Sequence, residues 1–270
     1  MNPTPAVIDE LIDLRCKELK LPGVRAAHRE LAREASDRGI APAQFLLSCL
    51  DHELDARRRR RLAARLRAAK FPQPKTVSEF DFGAIPQLHK AKVLQLAEGS
   101  FVAAKENVIC LGPSGTGKTH LAIALGMAAI EAGYSVRFIR AVTLAQELLE
   151  AQQEVRLNRY LKGWAKYDLV ICDELGYMRL GPGAPLFFQF MAERYETGSL
   201  VVTSNLEFSR WEEVFGDAAL TTALLDRITH RAHVLVFNGE SYRFRESQRR
   251  REQAGHTPEP PPLLSPGQGD

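Results

Sequence analysis

Apolar residues recur at helical spacing over two early stretches, where Val7, Ile8, Leu11, Ile12 and Leu14 are followed by Val24, Ala27, Leu31 and Ala35. This predicts helices over residues 6–20 and 24–38, separated at Pro22-Gly23 and closed by Gly39. A third begins near Pro42, passes through Phe45, Leu46, Leu50 and Leu54, and continues into an arginine-laden segment ending near Arg67. Residues 1–70 are therefore expected to form a small all-α N-terminal domain. Phe71-Pro72-Gln73-Pro74-Lys75 breaks the helical pattern, because proline blocks helix continuation and pushes its predecessor towards extended backbone. A linker is expected over residues 71–87. From 88 to 250 short β-prone runs at 107–111, 135–139, 168–172, 199–203 and 233–237 alternate with helical stretches. That alternation predicts an α/β fold, βα units around a parallel five-stranded sheet. Residues 251–270 are Pro-rich and polar and are expected to be a disordered tail.

Composition adds bounds. With 270 residues, 45% of them hydrophobic and 26% charged, the chain can bury one substantial core and a smaller second one. Residues 1–70 hold 15 basic and 10 acidic side chains, against 20 of each in 71–250, so the net charge of +3 has its positive field in the N-terminal part. No apolar run approaches the roughly 20 residues that span a bilayer. Asp9, Glu10 and Asp13 stand where a secretory leader would be basic and then apolar, so a cytoplasmic protein with no membrane partner is expected. Cys16, Cys49, Cys110 and Cys172 are scattered, without the spacing of a zinc site or a disulfide framework.

The strongest chemical signal is Gly112-Pro113-Ser114-Gly115-Thr116-Gly117-Lys118-Thr119, followed by His120. It matches G-x-x-x-x-G-K-[ST] in full, after an apolar strand and before a helix. Glycines at these positions let backbone N–H groups wrap a polyphosphate, and the following helix N-terminus adds its positive dipole end. Lys118 is expected to reach the β- and γ-phosphates of ATP, and the Thr119 hydroxyl to ligate Mg2+. The second signal is the apolar run 169–172 ending in Asp173-Glu174. Asp173 is expected to hold magnesium, and Glu174 to polarise the attacking water, which favours hydrolysis over transfer to another acceptor.

A strand falls between these two motifs, so the acidic strand is not the next after the loop, an order found in additional-strand ATPases rather than nucleotide kinases. Asn205, after the run 200–203, is placed as a sensor of the γ-phosphate, with a helix cap as the plain alternative. Arg227, in the helical stretch 224–231, is the candidate arginine finger reaching a neighbouring subunit's phosphate. Arg243, after the last strand, is a candidate second sensor.

Taken together, the segments LGPSGTGKTHLAIALG, YDLVICDELGY, VVTSNLEFSRWEEVFGD, ALLDRITHRAHVL and GESYRFRE closely resemble the IstB family of insertion-sequence helper ATPases. Upstream, LKLPGVRAAHREL and the arginine-rich helix before FPQPKTVSEFDF resemble that family's N-terminal domain, so the resemblance covers about residues 6–250. It implies an AAA+ P-loop ATPase related to the helicase loader DnaC and, more distantly, to the initiator DnaA. Such a helper assembles as a ring or helical homo-oligomer on double-stranded DNA and activates a partner transposase. By position it makes Lys118 and Thr119 the Walker A pair, Asp173 and Glu174 the Walker B pair, Asn205 the first sensor and Arg227 the finger. The Gly- and Pro-rich loop 178–185 and the tail after Arg251 depart from the family pattern.

Arg57, Arg58, Arg59, Arg60 and Arg61, with Arg65, Arg67 and Lys70, cannot share one helix face, since successive residues turn by about 100°. Such a collar can neutralise DNA phosphates without reading sequence. The alternatives are a solvated helix and pairing with Glu53 and Asp55. A helicase loader, a nucleotide-switched DNA clamp with little turnover, and a small-molecule kinase are the competing functions.

Overall fold

The computed structural model describes residues 4–239 and 241. The chain divides into two compact units, residues 1–70 and residues 71 onward.

The first unit is three helices, α1 (Pro5–Glu18), α2 (Pro22–Arg38) and α3 (Pro42–Ala69). Pro22 and Gly23, read from sequence as a separator, form the first turn of α2, where a proline's missing N–H costs nothing. Gly23 is required there by close approach: a Cβ on it would lie 2.6 Å from Glu53 Cα on α3. Glu53, almost fully buried, caps that turn, accepting from Gly23 N at 2.6 Å and Val24 N at 3.3 Å. Arg57 donates to the same carboxylate at 2.8 Å. Burial alone would push the Glu53 carboxyl up, but the donors from Arg57, Gly23 and Val24 hold it below its ordinary value.

The second unit runs α4 (Lys90–Ala97), α5 (Ser100–Ala103), β1 (Asn107–Leu111), α6 (Lys118–Glu131), β2 (Val136–Arg140), α7 (Ala141–Gln153), α8 (Leu157–Lys162), β3 (Leu169–Leu175), α9 (Ala184–Arg194), β4 (Ser199–Ser204), α10 (Glu212–Phe215), α11 (Ala218–Thr229) and β5 (Ala232–Val236). The strands form one parallel sheet in the order β2-β3-β4-β1-β5. β4 therefore lies between β1 and β3, the inserted-strand arrangement expected from the motif order.

Right-handed crossovers dictate the layering. The chain moves one way across the sheet from β1 to β2 and the other way in every later step, so α6 covers one face and α7, α9 and α11 the opposite one. Alternating strand residues follow suit. Ile109, Leu111, Val170, Cys172, Leu200 and Val202 join the core with α7, α9 and α11, while Ile171 faces α6, where a Cβ on Gly126 would come within 2.6 Å of it. With both faces covered, β1 and β4 are buried along their whole length.

Residues 71–87, expected to be a linker, carry packed side chains. Phe71 meets Phe138 edge to face at 6.4 Å, and Phe80 and Ile85 are buried. The prolines ended the helix, but the aromatic residues supplied enough apolar surface to hold the extended backbone down. Among the described residues no helix is long and apolar enough to cross a membrane.

Candidate active site

In open α/β sheets the carboxyl ends of the strands, where the connections change face, form the ligand crevice. Here the loop after β1 and the ends of β3 and β4 meet at that place. Gly112, Gly115 and Gly117 all have positive φ, at 142°, 80° and 91°. All three also lack room for a side chain: a Cβ would lie 2.1 Å from the Phe237 carbonyl oxygen at Gly112, 2.1 Å from Ser241 Oγ at Gly115 and 2.8 Å from the Phe80 ring at Gly117.

Within the loop, Lys118 Nζ donates to the carbonyls of Gly112 and Pro113, both at 2.6 Å, and Thr116 Oγ1 donates to Pro113 O at 2.8 Å. Ser114 shares a 2.6 Å hydrogen bond with the phenol of Tyr177, which follows the acidic strand. His120 meets Phe80 edge to face at 5.5 Å and its Nε2 lies 3.0 Å from Thr76 O. Phe80, in turn, contacts Phe82 and Phe237.

The acids lie against this loop. Thr119 Oγ1 donates to Asp173 Oδ1 at 2.9 Å, and Thr203 Oγ1 on β4 donates to the same oxygen at 2.6 Å. Glu174 has a left-handed φ of 63°, pairs with Arg140 Nε at 3.3 Å, and donates its backbone N–H to Thr203 Oγ1 at 3.0 Å. β3 therefore runs on to Leu175, past the expected end at residue 172. Asn205 follows β4 beside Gly176, and its Oδ1 is buried with no hydrogen-bond partner among the described residues. Desolvation pushes the Cys110 thiol up to about 12 and raises Cys172 as well, as fits two fully buried strand residues.

The model of the family described as "IstB-like ATP binding protein" matches residues 14–250. The chain belongs to this family. It is 40% identical to the insertion sequence IS5376 ATP-binding protein of Geobacillus stearothermophilus over 90% of this chain and 97% of that one. It is 39% identical to the insertion sequence IS21 ATP-binding protein of Pseudomonas aeruginosa, over 88% and 90%. The structure of AMPPCP-bound DnaA from Aquifex aeolicus superposes with a TM-score of 0.53 at 21% identity, covering 68% of this chain and 57% of that one, which shows the AAA+ fold.

Not every expected residue of this IstB-like chain joins the loop. Arg227 lies at the opposite end of the strands. The end of its helix is tied to the start of β1 by a 3.0 Å bond from Asn107 Nδ2 to Ile228 O, whereas Lys118 follows the other end of a strand that spans about 13 Å. The Arg227 guanidinium stacks 4.9 Å from the Phe188 ring centroid. Arg243 and the tail 251–270 lie outside the described residues. The arginine collar splits. Arg57 and Arg60 pair with Glu53, and Arg58 with Asp55, whereas Arg59, Arg61, Arg65 and Arg67 make no ion pair among the described residues. Sequence reading passed over Thr203, Tyr177, Arg140 and Phe80. Only the polar ending of an apolar strand could have flagged Thr203, and nothing in the local pattern marks the other three.

Proposed function

We propose that this chain is a cytoplasmic ATPase that binds ATP with magnesium at residues 112–119, assembles as a homo-oligomer on double-stranded DNA and activates a partner transposase. The observation that carries the ATPase reading is the meeting of Thr119 and Asp173 at 2.9 Å, with Glu174 next in the chain.

The residues present fit both groups. The positive φ at Gly112, Gly115 and Gly117 gives the loop the backbone freedom to wrap its N–H groups round a polyphosphate. A hydroxyl and one carboxylate, with no cluster of three or more His, Cys, Asp or Glu ligands among the described residues, is the donor set of a magnesium ion shared with substrate phosphates and water. Magnesium bound by Thr119 and Asp173 would neutralise charge on the β- and γ-phosphates. Lys118 exchanges its loop carbonyls for phosphate oxygens. Glu174 orients the attacking water and takes its proton, and Asn205 orients that water by accepting from it through its unpartnered amide oxygen, or the γ-phosphate by donating from its amide nitrogen. His120 and Phe80 border the cradle.

Arg227, separated from its own loop by the length of β1, is suited to complete the site of a neighbouring subunit. Arg59, Arg61, Arg65 and Arg67, without ion pairs among the described residues, suit a DNA backbone. The relatives bear insertion-sequence names and match along both units, which supports transposition as the setting.

Phosphate release and sedimentation with ATP, magnesium and duplex DNA test this reading. Turnover that rises with DNA, an assembly larger than a monomer, and retention of the transposase of the same element are expected. A chain that stays monomeric and hydrolyses nothing under these conditions overturns it.

A further inference from the structure

The ladder between β3 and β4 is regular from Leu169↔Ser199 to Cys172↔Val202 and resumes at Leu175↔Ser204. Asp173 and Glu174 thus stand opposite one residue, Thr203, in a bulge that leaves the backbone pairing locally broken. The left-handed φ of 63° at Glu174 adds strain that a non-glycine residue tolerates only where its surroundings impose it.

Thr203 supplies that constraint. Its Oγ1 accepts the Glu174 N–H at 3.0 Å, replacing the missing ladder bond, and gives its single proton to Asp173 Oδ1 at 2.6 Å. Thr203 is 1% exposed and Asp173 2%, so bulk water does not compete for either bond. β-branching restricts the Thr203 rotamer, which keeps the hydroxyl aimed at the bulge. One buried oxygen therefore ties the backbone of the proposed base to the carboxylate of the proposed magnesium ligand.

We propose that Thr203 is a positioning residue for ATP hydrolysis, its hydroxyl holding Asp173 and Glu174 in the bulged geometry that presents both acids at the end of β3. This rests on the ATPase reading. The role is to act through the two acids, without contact to substrate.

The test compares full-length wild type with Thr203→Val, which keeps the shape and removes the hydroxyl, and Thr203→Ser, which keeps the hydroxyl. Two readouts are taken: kcat and KM for ATP, and the magnesium midpoint for binding of a fluorescent ADP derivative, with binding in EDTA as the check that the loop is folded. Thr203→Val is expected to lower kcat about 100-fold with KM within about threefold, as loss of preorganisation does. Its magnesium midpoint should rise about tenfold while binding in EDTA is unchanged. Thr203→Ser is expected to stay within about threefold of wild type on both readouts.

Wild-type kcat and magnesium midpoint in Thr203→Val overturn the proposal, as does a Thr203→Ser as defective as Thr203→Val. If Thr203→Val does not bind nucleotide in EDTA, Thr203→Cys replaces it, and a wild-type rate in that weak hydrogen bonder overturns the proposal equally. Should the wild type itself show no turnover, the ATPase reading fails, and the magnesium midpoints alone decide the role of Thr203.

Discussion

Thr119 Oγ1 donates to Asp173 Oδ1 at 2.9 Å, joining the first turn of α6 to the end of β3 across 54 residues of chain. These two side chains would hold the magnesium ion that accompanies ATP. Asp173→Asn is therefore expected to weaken nucleotide binding about tenfold or more in magnesium and to leave it unchanged in EDTA. Calorimetry in the two buffers checks this, and equal losses in both would sink the assignment.

Glu174 needs no change of fold to be disabled. Glu174→Gln keeps the volume and removes the base, so ATP binding should persist while turnover falls about 10² to 10⁴-fold. An ATP-loaded assembly should then accumulate on duplex DNA, visible by sedimentation. Wild-type turnover in this variant would reassign the base.

Arg227 and Lys118 lie at opposite ends of β1, so they can serve one reaction only from different subunits. Arg227→Ala is expected to bind ATP normally and to lose about 10³-fold or more in turnover. Mixing it with the equally inactive Lys118→Ala should restore part of the rate, because each supplies the half-site the other lacks. A mixture as inactive as its components, with assembly intact, argues against the finger.

The N-terminal unit carries its own pH dependence. Because its donors hold the Glu53 carboxyl below 4.5, the stabilisation is fully present above pH 4.5 and is lost as pH falls through the lowered folded value. Glu53→Ala leaves the Gly23 and Val24 amides unpaired at neutral pH, costing about 2 kcal/mol. Thermal melts of the full chain should show that gap narrowing in acid. A gap that widens as pH falls would contradict the hydrogen-bonded carboxylate.

Replacing Arg59, Arg61, Arg65 and Arg67 by Gln should weaken DNA binding at low salt and flatten its salt dependence, by about 0.9 in log–log slope for each phosphate no longer neutralised. Arg57→Gln and Arg60→Gln, whose guanidinium groups already face Glu53, should chiefly lower the melting temperature instead. Fluorescence anisotropy across salt concentrations separates the two sets.

What the chain alone determined is local. The phosphate loop, the run ending in Asp173-Glu174 and the helix and strand periods are written in contiguous residues, because backbone conformation and the alternation of buried faces depend on near neighbours. Even so, contiguous reading misjudged Pro22-Gly23, which sits inside α2, and residues 71–87, whose aromatic residues outweigh their prolines. Tertiary structure decided which strand lies beside which. The order β2-β3-β4-β1-β5 brings Thr203 against the bulged acids and sets Arg227 at the far end of β1 from Lys118, and in the other unit the packing of α2 on α3 brings the Gly23 and Val24 amides onto Glu53. A sequence period specifies which face of a strand or helix is buried but not which neighbour buries it. That choice is made by pairing between distant segments, and it assigns Thr203 and the buried acids Asp173 and Glu53 their partners.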